Sequence, residues 1–216
     1  ADQAVIAIEN VRLFKELEAR NRDLAETLQY QTATSEVLRI VSGSVADAKP
    51  VFEAILESVL RLFEGFDASV WLAQGDRVVP VVHGGPNSPH KISEVTLNRD
   101  FVQGLAIQDR RIVKIENVHT DTEISESQKK RLLARGRGAA LTVPLLREGS
   151  AFGTLIVSLT EPTVFSERQV SLLKTFADQA VIAIENARLF KELEARNGEL
   201  AETVRRLAAY WSMLTW

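Results

Sequence analysis

The chain writes one helix twice. Residues 1–28 (ADQAVIAIENVRLFKELEARNRDLAETL) return at 177–204 with changes only at positions 11, 22, 23 and 28. A long repeat means one structural unit used again. Both copies are dense in Ala, Leu, Glu, Arg and Lys, which lose little side-chain freedom in a helix. Two near-identical helices bracketing a stretch of different pattern restrict the fold to a globular unit with one helix leading in and another leading out. The first copy is then expected to be the exit helix of a preceding unit in a longer protein that carries such units in tandem.

Both helices carry a heptad seam. Leu193, Leu200, Leu207 and Leu214 recur every seventh residue, with Leu189, Val204 and Trp211 beside them. Leu17, Leu24 and Leu38 keep the same phase in the first copy, Leu13 stands to Leu17 as Leu189 does to Leu193, and Gln31 enters the seam. Asn10, Asn186, Arg20 and Arg196 fall near it. Apolar residues every 3.5 positions are the signature of a coiled coil, and polar seam residues lower its stability while fixing its register. The seam predicts a parallel homodimer through Leu13, Leu17, Leu24, Leu38, Leu189, Leu193, Leu200, Leu207, Trp211 and Leu214. After the shared helix the sequence ends RRLAAYWSMLTW, whose Trp211, Leu214 and Trp216 would be exposed on a lone helix and so favour partner contact.

Between the helices the period changes. Pro50 in a first helical turn opens a helix striped by Phe52, Ile55, Leu56, Val59 and Phe63. Strand-like runs follow at 68–73 and 77–83 around a Gly75-Asp76 turn, then at 91–97, 111–115, 139–146 and 152–159. Pro80 cannot donate to a ladder, so its strand should be an edge or carry a bulge. GGPNSP at 84–89 reads as a loop. Short helices are expected at 99–108, capped by Asn98, and at 125–135, with Leu132 and Leu133 inward. Ser166-Glu-Arg-Gln169 is a capping box with Phe165 and Val170 as its staple, opening a helix that runs on to the C-terminus. The expected division is 1–42 linker and coiled coil, 43–176 globular unit, 177–216 signalling helix.

Several function classes drop out. There is no cysteine, which removes disulfides, thiolate metal sites and thiol nucleophiles. His83, His90 and His119 have no partner at i+3 or i+4, so no metal site is expected. A formal charge of −3 gives no pull toward nucleic acid. No apolar run approaches the roughly 20 residues of a membrane span, and the cytoplasm is the default location. The long helices hold no histidine to accept a phosphoryl group, and no glycine-rich phosphate loop is present.

The segments LTVPLLREGSAFGTLIVSL (141–159) and FSERQVSLLKTFADQAVIAIENARLF (165–190), with the order of elements before them, resemble a GAF domain. The linker at 13–42 further resembles bacterial multi-GAF signalling proteins whose output is a histidine kinase or a nucleotide cyclase. The resemblance implies a mixed α/β (α+β) fold: a six-stranded antiparallel sheet with helices packed on one face and a ligand pocket on the other. It also implies a regulatory rather than enzymatic role. Members that attach a bilin covalently, or reduce methionine sulfoxide, use cysteines that this chain lacks. Asn98-Arg99 and Phe101 echo part of the cyclic-nucleotide signature, but the remainder cannot be assembled, so a cyclic nucleotide is not favoured and the cofactor stays open.

Trp71, Phe101, Val113, Ile115, Leu133 and Val143 are placed to line a cavity above the sheet, or simply to fill a core. Asn117, His119, Asp121 and Thr122 form a polar loop that could supply anchors. Lys129, Lys130, Arg131, Arg135 and Arg137 form a basic run that reads as a solvated helix face or as a grip on a phosphate-bearing ligand. His119 and Asp121 have no nucleophile beside them, so no enzyme is expected. Two functions remain: a sensor of a small molecule, or a dimerising spacer that binds nothing.

Overall fold

In the computed structural model, described for residues 12–21, 27–28, 31–32, 35, 37, 48–89 and 92–214 and for side chains up to Arg206, alternation along the strands sorts the core into two layers. The elements are α1 (Lys49–Leu62), β1 (Asp67–Gln74), β2 (Arg77–Gly84), β3 (Val95–Thr96), α2 (Val102–Asp109), β4 (Val113–Ile115), α3 (Glu126–Ala134), β5 (Ala139–Arg147), β6 (Ser150–Leu159) and α4 (Glu167–Leu214). The strands form one sheet in the order β3-β2-β1-β6-β5-β4, with every neighbouring pair antiparallel. The expected six-stranded fold is present.

One face of the sheet presents Ala68, Val70, Leu141, Val143, Leu145, Leu155 and Val157 to α1 and α4. The other presents Trp71 and Ile156 to α2 and to the residues around β4. Side chains two apart share a face of a strand, so β5 and β6 serve both layers. Helices therefore cover both faces, and the expectation of helices on one face holds only for α1 and α4. Packing α2 over the second face is what leaves a hollow there.

Local signals fix the ends of these elements. Ser125 caps α3: its Oγ accepts from the Gln128 backbone N–H while the Gln128 side chain accepts from the Ser125 N–H. Ser166 and Gln169 make the same reciprocal pair before α4, at 3.2 and 3.0 Å. Glu148 and Gly149 both adopt positive φ (49° and 77°), the two-residue turn whose twist matches the β5–β6 hairpin. Pro80 lies beyond the reach of β3, which pairs only with Arg77 and Val78. Against β1 the register slips there, leaving Val81 as a bulge.

Two elements are shorter than their patterns suggest. The strand expected at 91–97 is reduced to Val95–Thr96, and α2 starts at Val102 with Phe101 as an uncapped N-cap. Asn98 spends its side chain on the Asp100 N–H, an Asx turn that delays the helix.

The core also passes both expected boundaries of the globular unit. Val37 is fully buried in the first layer, and Arg168 donates to Thr27 at 2.8 Å, so part of the leading segment packs on its own domain. On α4, Ala177, Ala180, Ala183 and Ala187 are buried. Their spacing of three or four makes a stripe of small side chains, which lets the helix lie close to the sheet. Beyond it the same helix continues in the open, spanning about 72 Å in all at 1.5 Å per residue.

Candidate functional site

The second face holds a cavity of about 460 Å³. Its floor is the sheet: Ser69 and Trp71 from β1, Ala140 from β5, Ile156 and Ser158 from β6. Phe101, Val102 and Gln103 form one wall at the start of α2, and α3 forms another with Gln128, Arg131, Leu132 and Arg135. Asn87, Pro89 and Ile92, in the connection after β2, close a third side. A volume of this order, part apolar with a few polar groups, suits a small organic ligand.

The walls are held by backbone geometry. Gly104 lies so close to the turn before α2 that a Cβ there would sit 1.9 Å from the Asn98 carbonyl oxygen. Gln128 is buried, and its Nε2 donates to the Arg99 carbonyl, tying the start of α3 to the same turn. On the floor the Trp71 indole N–H donates to Ser69 Oγ at 2.8 Å, which satisfies a buried ring that would otherwise need another partner.

Three arginines face this space. The Arg131 guanidinium lies 4.5 Å from the Phe101 ring centroid, a cation–π contact. Arg137 is ion-paired with Asp67, which is itself buried and also accepts from the Asn87 N–H at 2.8 Å. Arg135 has no carboxylate partner among the described residues. Burial first, then the charges of Arg137 and Arg131, pull its pKa below the ordinary arginine value.

The expected site residues divide. Trp71 and Phe101 line the cavity. Val113 and Ile115 are buried in the same apolar layer but do not reach the lining. Leu133 turns outward and is 38% exposed, while its neighbour Leu132 faces the cavity. Val143 is a correction in direction: it shares a face with Leu141 and Leu145, so it packs against α1 and α4 across the sheet.

The polar loop is elsewhere too. Asn117 and Asp121 border a separate, open hollow of about 640 Å³ with Lys114, Glu116 and Pro162. Their side chains are engaged in shaping the loop: Asn117 accepts from the His119 N–H, and Asp121 from the N–H groups of Glu123 and Ile124. His119 and Thr122 are exposed. The polar side chains that line the cavity include Gln103, Gln128, Arg131, Arg135 and Arg137, of which Gln128 is bonded to Arg99 and Ser125 and Arg137 to Asp67. The Arg131/Arg135 spacing of four, one face of a helix, was the available signal for two of them.

Of the seam residues, Leu13, Leu17, Leu189, Leu193 and Leu200 are each at least half exposed. Leu24 and Leu38 lie outside the described residues, as do the side chains of Leu207, Trp211 and Leu214. Among the described residues no three metal-ligating side chains cluster, and no helix is long and apolar enough to cross a membrane.

The family model described as GAF domain matches residues 45–185. Solved structures share the architecture at low identity. The GAF domain of an Acinetobacter phosphoenolpyruvate-protein phosphotransferase aligns at 19% identity over 76% of this chain and 97% of its own, with a TM-score of 0.61. A free methionine-R-sulfoxide reductase from Neisseria meningitidis, in complex with its substrate, aligns at 17% over 74% and 90%, with a TM-score of 0.62. The phycoerythrobilin-bound GAF domain from a cyanobacterial phytochrome aligns at 14% over 76% and 99%, with a TM-score of 0.66. At these identities the likeness is one of fold.

Proposed function

Because this chain belongs to the GAF-domain family, we propose that it is a regulatory module of a signalling protein, holding a small molecule in the cavity and passing the effect along α4. The observation that carries the reading is the cavity of about 460 Å³ whose floor strands, β5 and β6, also form the surface on which α4 packs. A ligand that orders the floor in one arrangement changes the surface that α4 grips. It can bias the output only by binding one arrangement more tightly than the other. The spacer reading is disfavoured because a spacer needs no hollow with polar anchors.

The module works as a parallel homodimer. Exposed leucines on both flanking helices support this, since a stripe of large apolar side chains left in water favours burial against a second copy. The repeat supports a tandem arrangement: Ala177, Ala180 and Ala183, which pack on the sheet, have counterparts at Ala1, Ala4 and Ala7. The output, a histidine kinase or nucleotide cyclase, belongs to the parent protein, and the module performs no chemistry itself. Free methionine-R-sulfoxide reductase shares the fold, but among the described residues of the lining no nucleophile stands beside a base.

Native mass spectrometry of the purified chain tests both parts together. A dimer carrying a co-purified small molecule is the expected result. A strict monomer at high concentration defeats the dimer, and an empty, ligand-refractory dimer favours the spacer.

A further inference from the structure

We propose that the cavity takes a planar aromatic compound bearing an acidic group, with the ring against Trp71 and the anion gripped by Arg131 and Arg135. This rests on the cavity being a ligand site, and it adds the ligand's chemistry.

The arginines are not needed for the helix end on which they sit. The last turn of α3 is closed by main chain alone: the Gly136 N–H bonds the Leu133 carbonyl and the Arg137 N–H bonds the Leu132 carbonyl, with Gly136 at φ 66°. That arrangement satisfies the terminal carbonyls without side chains. Arg131 lies on α3 and Arg135 is the residue just past its end, four positions on, where like charges repel. Asp67 neutralises Arg137 but neither of the other two, and among the described residues no carboxylate pairs with either. Both arginines are exposed at the cavity wall without a carboxylate partner, which leaves their N–H groups open to an anion.

The geometry also favours an acid group that accepts two hydrogen bonds at once. The Arg131 guanidinium carbon lies 4.5 Å from the centroid of the Phe101 ring, and a guanidinium held beside a ring keeps its planar N–H fork for hydrogen bonding. Such forks match carboxylate, sulfonate and phosphate oxygens two at a time. Asp100, the carboxylate in the lining, lies at the other end of α3, where Ser127 Oγ donates to it at 3.5 Å. Along the helix axis Ser127 is about 6 Å from Arg131 and about 12 Å from Arg135, so Asp100 repels an acid group most at its own end and least at Arg135. The apolar part of the floor, Trp71 with Ile156, is left for the ring.

Two probes with the same rings separate charge from shape: 1-anilinonaphthalene-8-sulfonate and its uncharged parent, N-phenyl-1-naphthylamine. Both are titrated into the full chain by fluorescence. The expected result is one sulfonate per chain, bound about tenfold or more tightly than the amine, the scale of one charge-assisted hydrogen bond. R135Q and, separately, R131Q should remove most of that preference with an unchanged circular dichroism spectrum. K130Q removes the same charge from an exposed residue of α3 outside the lining and should keep it. Equal affinity for the two probes overturns the anion inference while leaving a ligand cavity standing, as does K130Q weakening the sulfonate as much as R135Q. Failure of both probes to bind overturns the ligand cavity itself.

Discussion

Asp67, the first residue of β1, holds Arg137 through one carboxylate oxygen and the Asn87 N–H through the other. The pair is almost fully withdrawn from water, with side-chain exposures of 4% and 11%. It therefore joins three segments distant in sequence: the edge of β1, the loop after β2 and the entry to β5. That makes Asp67 the keystone of one cavity wall.

Truncating Asp67 should be among the costliest single changes in the domain. Asp67→Ala leaves a buried guanidinium without its counter-charge, a loss of about 3–5 kcal/mol. Urea unfolding of the variant checks this. A loss under about 1 kcal/mol, the value of an exposed pair, would show that the pair is hydrated in solution.

Gly104→Ala should destabilise although Ala is the better helix former. Its Cβ would meet the Asn98 carbonyl at 1.9 Å, so α2 must shift away from the turn that starts it. Overpacking of this kind costs about 1–3 kcal/mol. The same shift moves Phe101 and Gln103 in the cavity wall, so probe binding should weaken together with the thermal midpoint. A midpoint raised by the substitution would contradict the close approach.

Much of this fold was legible because it rests on local chemistry. The capping box at Ser166, the helix at 125–135 and the bulge beside Pro80 each follow from residues that only a few conformations satisfy. The candidate site was legible in part. Trp71 and Phe101 were found because large rings on an alternating strand or at a helix start have few other places to go. Val143 was misplaced since alternation gives two faces but does not say which one holds the cavity. Leu132 and Leu133 posed the same problem on a helix, where neighbours differ by about 100° in direction. Asp67 and Arg137 could not be paired from sequence at all, because their bond depends on β1 and the entry to β5 meeting through β6. Val37 was assigned to the linker, and its burial depends on the layer that α1, α4 and the sheet form only once they have packed.

The tie between the β5–β6 hairpin and the exit helix should depend on pH in a defined window. Glu185 on α4 accepts from Arg188 and from Arg147, and these hydrogen bonds lower its pKa to about 2 from an ordinary 4.5. A carboxyl depressed by folding contributes stability above its unfolded pKa, and that contribution fades as pH falls toward the folded value. Wild type should therefore be more stable than Glu185→Gln at neutral pH, with the gap closing between about pH 4.5 and 2. Chemical denaturation of both proteins across that range measures the gap. A difference that does not vary with pH would mean the carboxylate is not engaged.

The exit helix offers the sharpest test of how the module assembles. On α4, Ala177, Ala180 and Ala183 pack into the layer against the sheet and Ala187 is still buried, whereas Leu189, Leu193 and Leu200 stand at least half exposed. The change from alanine to leucine along one continuous helix marks where it stops packing on its own domain and becomes available to a second copy. A charge placed in that seam has little to disturb inside the domain, since the positions lie beyond the buried core. Leu193→Asp with Leu200→Asp should therefore leave the thermal unfolding of the globular part within about 0.5 kcal/mol, as for surface changes generally. In a dimer the same charges would face their own copies across the seam, an arrangement that opposes association. Sedimentation equilibrium should then show a dimer for wild type and a monomer for the double variant. A wild-type monomer, or a double variant that stays dimeric, would place the contact between copies somewhere other than this stripe.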